Sequence, residues 1–350
     1  MHVKSVVLIA ALSVQGGVLP LPNPQRPQHA SADRALDVRE LLSAARGVAP
    51  AMCSLASDGA ANGGWNWDAP SSVVHSELRG SLRNLRSIEI DDDQGRALLD
   101  GLSSDDSCVR HLAGTLIGRS GDASFLPPLM ARLDATSPAD RAGAARVLGL
   151  LDDRRAVDPL VAHLRDDNGA VRANAAWALG RIGDRDATGQ IATLLHDADP
   201  VVRLSATTAL GELPTTDNVE ALLRVLKGDD SPDVRRTAAW ALGQIGSRTA
   251  GEGLAAALHD DKVATVREMS AWALAEIHAR DFADALANSL REDASESVRE
   301  TSAWALGEIG VKKSADALGE ALGRDKSSRV RATAAWAIGE LDPGRALLEP

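Results

Sequence analysis

The stretch VRETSAWALGEIG, residues 298–310, decides the fold because it does not stand alone. Close copies start at Val171 (VRANAAWALGRIG), Val234 (VRRTAAWALGQIG), Val266 (VREMSAWALAEIH) and Val330 (VRATAAWAIGELD). Aligned on its arginine, the pattern extends to Arg110, Arg141, Arg172, Arg203, Arg235, Arg267, Arg299 and Arg331, at spacings of 31 and then 32 residues. Self-similarity at such a period marks a solenoid, in which no unit buries its own apolar face and stacking supplies the core. The expectation is an all-α fold, an α-solenoid winding as a right-handed superhelix of about eight helical hairpins.

Each unit carries two helical patterns. In the third, Val157, Leu160, Val161 and Leu164 recur at i, i+3, i+4 and i+7, which marks an amphipathic first helix, A. An acidic turn follows, Asp166-Asp167-Asn168. The second helix, B, opens at Ser137-Pro138, Asp199-Pro200 and Ser231-Pro232, where a capping side chain precedes a proline at the first helical position. It closes at Gly183, Gly246 and Gly310, the residue favoured just past a helix end.

The period separates this chain from tetratricopeptide and ankyrin arrays, whose repeats of 34 and 33 residues carry other signatures. VRANAAWALGRIGD (171–184) preceded by RRAVDPLVAHLRDD (154–167) instead resembles the short bacterial HEAT-like repeats of the family that includes phycobilisome bilin lyase subunits and deoxyhypusine hydroxylase. The resemblance covers the repeats and implies the solenoid fold. It implies no single function, since the same repeat serves lyases, oxygenases and binding scaffolds. Deoxyhypusine hydroxylases carry repeated His-Glu pairs for a di-iron centre, and this chain has no His-Glu dipeptide.

At about 100° per residue, Val171, Ala175, Ala178, Leu179 and Ile182 share the stripe that faces helix A. Trp177 lies roughly 240° around, close to the direction opposite helix A. Two readings follow for Trp177, Trp240, Trp272, Trp304 and Trp336. Either each ring wedges between neighbouring B helices, or the rings line an open, concave face and bind a partner. Five rings showing about 100 Å² each would form a patch of the size that marks binding surfaces. Small residues recur at the Ala176 and Gly180 positions, and glycine inside a helix costs about 0.5–1 kcal/mol, so another helix or a partner approaches closely there.

The ring side also carries Leu112, Thr115, Arg119, Arg146 and Arg181 early, then Glu212, Gln244, Glu276, Glu308 and Glu340. It runs from basic and ring-free to aromatic and acidic, a combination suited to a protein or peptide segment with apolar or proline side chains and Lys or Arg. The repeated arginines Arg172, Arg203, Arg235, Arg267, Arg299 and Arg331 follow acidic turns (Asp197 and Asp199 before Arg203, for example) and read as a structural Arg-to-Asp ladder.

The bulk properties set the remaining bounds. Forty-nine carboxylates against 38 Lys plus Arg give a net charge of -11, which argues against nucleic acid or an anionic membrane as main partner. No cluster at metal-ligand spacing, phosphate loop or nucleophile motif stands out, so neither metal nor cofactor is expected and no catalytic residue is assigned. His196-Asp197 and His259-Asp260 read as helix-end residues.

Residues 1–32 start with Lys4, an apolar run from Val6 to Val14 and a Pro-rich stretch, the layout of a secretory signal peptide and linker. A retained anchor reaching Leu21 is the other reading; after cleavage, at Gly16 or Ala32, no membrane span is expected. Export to the periplasm or outside the cell would let Cys53 and Cys108 pair, against the alternative of two buried thiols. Residues 33–92 break the repeat, carry Trp65 and Trp67 in a Gly/Asn-rich loop and read as a cap on the solenoid at 93–341, with a tail at 342–350. The expected function is an exported, non-enzymatic scaffold for a protein or peptide. The alternative is a lyase-like or chaperone-like factor for a tetrapyrrole or other planar ligand.

Overall fold

A computed structural model describes residues 38–46 and 90–341, all within one compact unit, Asp37–Pro350. The segments 1–37, 47–89 and 342–350 lie outside the described residues, and with them the signal-peptide reading, Cys53, Trp65, Trp67 and the tail. Helix α1 (Val38–Ala45) precedes eight hairpins. The first four are α2 (Asp92–Gly101) with α3 (Ser107–Ser120), α4 (Leu126–Leu133) with α5 (Pro138–Leu151), α6 (Val157–Ala162) with α7 (Gly169–Ile182), and α8 (Thr188–Thr193) with α9 (Pro200–Glu212). The next four are α10 (Val219–Gly228) with α11 (Pro232–Ile245), α12 (Gly251–Asp260) with α13 (Ala264–Glu276), α14 (Ala283–Glu292) with α15 (Glu296–Ile309), and α16 (Ala315–Arg324) with α17 (Ser328–Leu341). Among the described residues there is no strand, and no helix is long and apolar enough to cross a membrane.

The core forms where the period places it. Leu160, Ile191, Leu222, Leu254, Leu286 and Leu318, one from each A helix of the third to eighth hairpins, are all fully buried. Val171, Ala175, Ala178, Leu179 and Ile182 cover them from α7, and the equivalent residues do so from the other B helices. Each B helix packs on its own A helix and on the B helices before and after it, whereas neighbouring A helices touch more sparingly. The B helices therefore form the closely packed layer. At the N-terminal end α1 lies against α2 and α3, with Val38 and Leu42 buried and Leu42 close to Gly101.

The helix ends follow their local chemistry. Ser137 accepts from the Asp140 N–H and Asp199 from the Val201 N–H, ahead of Pro138 and Pro200. Ser231 holds the same position but makes no capping bond; its own N–H donates to Asp229 Oδ1 at 2.9 Å, so the acidic turn stabilises the entry instead. Gly183, Gly246 and Gly310 close α7, α11 and α15 with φ of 76°, 73° and 67°. Asp152 and His278 occupy the same left-handed place after α5 and α13 without glycine's freedom.

The arginine ladder is built from every B helix between α5 and α15. Arg172 Nε and Nη2 grip the Asp197 carboxylate at 2.8 and 2.9 Å, while Nη1 donates to the carbonyl of Asp166 at 2.8 Å. The same fork joins Arg141 to Asp166, Arg203 to Asp229, Arg235 to Asp261, Arg267 to Asp293 and Arg299 to Asp325. The turn that precedes each arginine thus offers its main chain, and the carboxylate comes from the turn one hairpin ahead. Among the described residues Arg331 makes only the main-chain half, to Asp325 and Lys326.

The grip leaves a mark on five of these carboxylates. The Arg141 guanidinium holds Asp166 down to about 2. Asp325 is lowered chiefly by Arg299. Asp197, Asp261 and Asp293 are also lowered: burial pushes each up, and the paired arginine together with a main-chain N–H outweighs it.

Candidate partner-binding face on the B helices

Trp177, Trp240, Trp272 and Trp336 sit at the boundary between neighbouring B helices, and the glycine one hairpin earlier makes their room. A β-carbon built on Gly149 would lie 2.9 Å from Trp177 Cζ3. On Gly211 it would meet Trp240 at 2.6 Å, on Gly243 Trp272 at 2.7 Å and on Gly307 Trp336 at 2.9 Å. Gly180 faces the backbone of Ala209, beside Thr208, which stands where α7, α11, α13, α15 and α17 carry tryptophan. The recurrent small residues thus serve helix-to-helix approach, and these four rings lie over the gaps they leave.

The edges of the rings are covered to different degrees. Trp177 is 6% exposed; Trp240, Trp272 and Trp304 are half-buried; Trp336, on α17, is 40% exposed. Wedging and display therefore coexist, with display increasing toward the C-terminal hairpins. Two guanidinium groups lie over Trp177: Arg146 Cζ is 5.6 Å from the ring centroid and Arg181 Cζ 6.0 Å. Both are within the range of a cation–π contact.

Charge divides this face in two. Its early part holds His111, Arg119, Arg146 and Arg181. Burial lowers the Arg146 guanidinium to about 10, and burial aided by the Arg146 charge lowers His111 to about 4. Glu212 follows on α9, its carboxyl raised by desolvation although Arg181 pulls it back. The late part presents Glu276, Glu308 and Glu340, all exposed. Each stands four residues after Trp272, Trp304 or Trp336, one turn along the same helix face. Among the described residues none of the three makes an ion pair or side-chain hydrogen bond.

The sequence reading missed His111, Arg236, Glu268 and Glu300. These lie about 40° from the tryptophan row, at the position of Ala173 in α7, so a wheel laid out for that row would have found them. Glu300 pairs with Arg329 at 2.8 Å. Cys108, buried near the start of α3, is disulfide-bonded, and the chain's other cysteine, Cys53, lies outside the described residues. His259 and Asp260 form an exposed pair at 2.6 Å at the end of α12. Among the described residues no group of three or more His, Cys, Asp or Glu is placed to hold a metal ion.

Comparison with known proteins agrees with this geometry. A family model described as HEAT repeats matches residues 95–167, 126–190, 188–275 and 283–347. No curated protein matches the sequence. Among solved structures, the E. coli protein YibA is 19% identical, with 76% of this chain and 97% of that chain covered and a TM-score of 0.58. The complex of CpcE and CpcF of phycocyanin lyase from Nostoc sp. PCC7120 is 23% identical, covering 62% of this chain and 94% of that one, with a TM-score of 0.42. Human deoxyhypusine hydroxylase is 23% identical, covering 76% and 99%, with a TM-score of 0.34. At these identities the likeness speaks for the fold alone. With the family model covering most of the sequence and eight stacked hairpins carrying its period, the chain belongs to the HEAT repeat family.

Proposed function

We propose that this protein is an exported, non-enzymatic scaffold that binds a protein or peptide along the tryptophan-edged face of its B helices. One observation carries the reading. Trp336 is one of only two large hydrophobic side chains exposed among the described residues, and it ends a row in which Trp272 and Trp304 also show an edge beside exposed glutamates. An indole kept at a water boundary beside carboxylates has the amphipathic character that partner surfaces favour.

Export is supported by the N-terminal layout of Lys4 and the Val6–Val14 run, and by the disulfide at Cys108, a bond that persists in oxidising compartments. Cell fractionation checks this directly: the processed chain belongs in the envelope or medium, and an unprocessed chain in the cytosol would refute it.

The docking face is tested by a photo-crosslinking amino acid at position 308, compared with one at position 190 on the outer A-helix layer. Adducts to a defined partner at 308 and not at 190 are expected. Equal labelling at both positions, or labelling at 190 alone, would remove the B face from the interaction.

A further inference from the structure

The late half of the face has an internal precedent for its occupant. Around Trp177 the protein supplies its own cations, one from the preceding B helix (Arg146) and one from four residues further along α7 (Arg181), both over the same ring. Around Trp272, Trp304 and Trp336 no guanidinium of the described chain lies over the ring. The residue that follows by four is a carboxylate each time: Glu276, Glu308 and Glu340. The contrast with the shielded ladder aspartates is sharp, because those are each gripped by an arginine of the chain. Glu300, also on this face, is neutralised by Arg329. Three exposed carboxylates beside three displayed indoles thus offer both an aromatic surface and a counter-ion to an incoming cation.

We infer that α13, α15 and α17 form a docking strip for an arginine-bearing segment of a protein partner, whose guanidinium groups take the place over Trp272, Trp304 and Trp336 that Arg146 and Arg181 take over Trp177. The inference rests on the proposed docking function and names the chemistry of its partner. Arginine suits the strip better than lysine, since its flat guanidinium stacks on an indole while donating to a carboxylate. The carboxylates recur once per hairpin, so an extended segment with cations about 10 Å apart matches them.

The test titrates the full chain with a synthetic nonapeptide of three Arg-Pro-Pro repeats, whose arginines stand about 9 Å apart in polyproline II, and with its Gln-for-Arg counterpart, by calorimetry. The Arg peptide is expected to bind, more weakly as salt rises, and the Gln peptide not to. The triple variant Glu276→Gln/Glu308→Gln/Glu340→Gln should bind the Arg peptide about tenfold more weakly, three exposed pairs together supplying roughly that factor. Its substitutions are exposed and its melting curve should match the parent. A control of equal net charge, Glu220→Gln/Glu252→Gln/Asp316→Asn on the outer A helices, should bind as the parent does. Equal weakening in both triples would reduce the effect to bulk charge and overturn the inference. Equal binding of the Arg and Gln peptides, or no binding of either, would also overturn it; defined crosslinks at position 308 would then leave the wider docking reading standing.

Discussion

At the scale of single residues, the glycines of α5, α9, α11 and α15 each pair with the tryptophan of the next B helix. Gly307 and Gly339 stand at equivalent positions, yet a β-carbon on Gly307 would lie 2.9 Å from Trp336, while one on Gly339 would meet nothing within 4 Å. The same substitution should therefore change sign. Gly339→Ala is expected to raise stability by about 0.5–1 kcal/mol through helix propensity. Gly307→Ala should lower it by about 1–3 kcal/mol, because the ring must shift inside a packed seam. Thermal unfolding of the two variants decides this, and two stabilising alanines would show that the seam is loose.

The same pair explains what the sequence concealed. The wheel angle of Trp177 was right, but a ring about 240° around points both at the open face and at the preceding helix. Which it touches depends on how closely the helices approach, and that is set by residues a full repeat away. Exposure then varies from 6% at Trp177 to 40% at Trp336 with no change in local motif.

At the scale of elements, the ladder ties each acidic turn to the B helix of the hairpin before it. The Arg267–Asp293 rung is mostly shielded, with side-chain exposures of 14% and 7%, and both Asp293 oxygens are engaged by the guanidinium. Removing the arginine strands a carboxylate that the surrounding structure has partly desolvated. Arg267→Ala is expected to cost about 3 kcal/mol, measured by denaturant unfolding. Asp293→Asn should cost less, since the amide retains an acceptor for one arm of the fork.

The arginine and aspartate positions were fully legible from the 31- and 32-residue spacing, and so were the hairpins, because both follow from periodicity. The pairing was not. Sequence proximity favours the turn just before each arginine, but the helix carries the guanidinium across to the next turn, 25 or 26 residues on. The capping role of Ser231 failed for a related reason. Asp229, two residues earlier, accepts the Ser231 N–H, and the serine hydroxyl is left without a capping bond.

For the molecule as a whole, the gripped carboxylates predict an acid limb. Asp166 titrates near 2 in the fold against an ordinary 3.8, and Asp197, Asp261, Asp293 and Asp325 are lowered as well. A folded-state value below the unfolded one means that this stability is fully present above pH 4. It drains as pH falls from about 4 to about 2, where the native carboxylates take up protons. Helical signal followed against pH should hold through the neutral range and fall within that window. Loss of structure beginning near pH 6 would assign the acid sensitivity to groups other than the ladder.

The half-made contact of Arg331 has a mechanical consequence. Should the α16–α17 hairpin peel away, Arg299 would lose Asp325 and keep only its own turn's carbonyls, the state in which Arg331 already stands among the described residues. Fraying would then advance in like steps, each releasing one salt bridge and, from α17 back to α11, one indole. Amide protons would be expected to exchange in a graded sequence from α17 inward, as teeth part behind the slider of a zip.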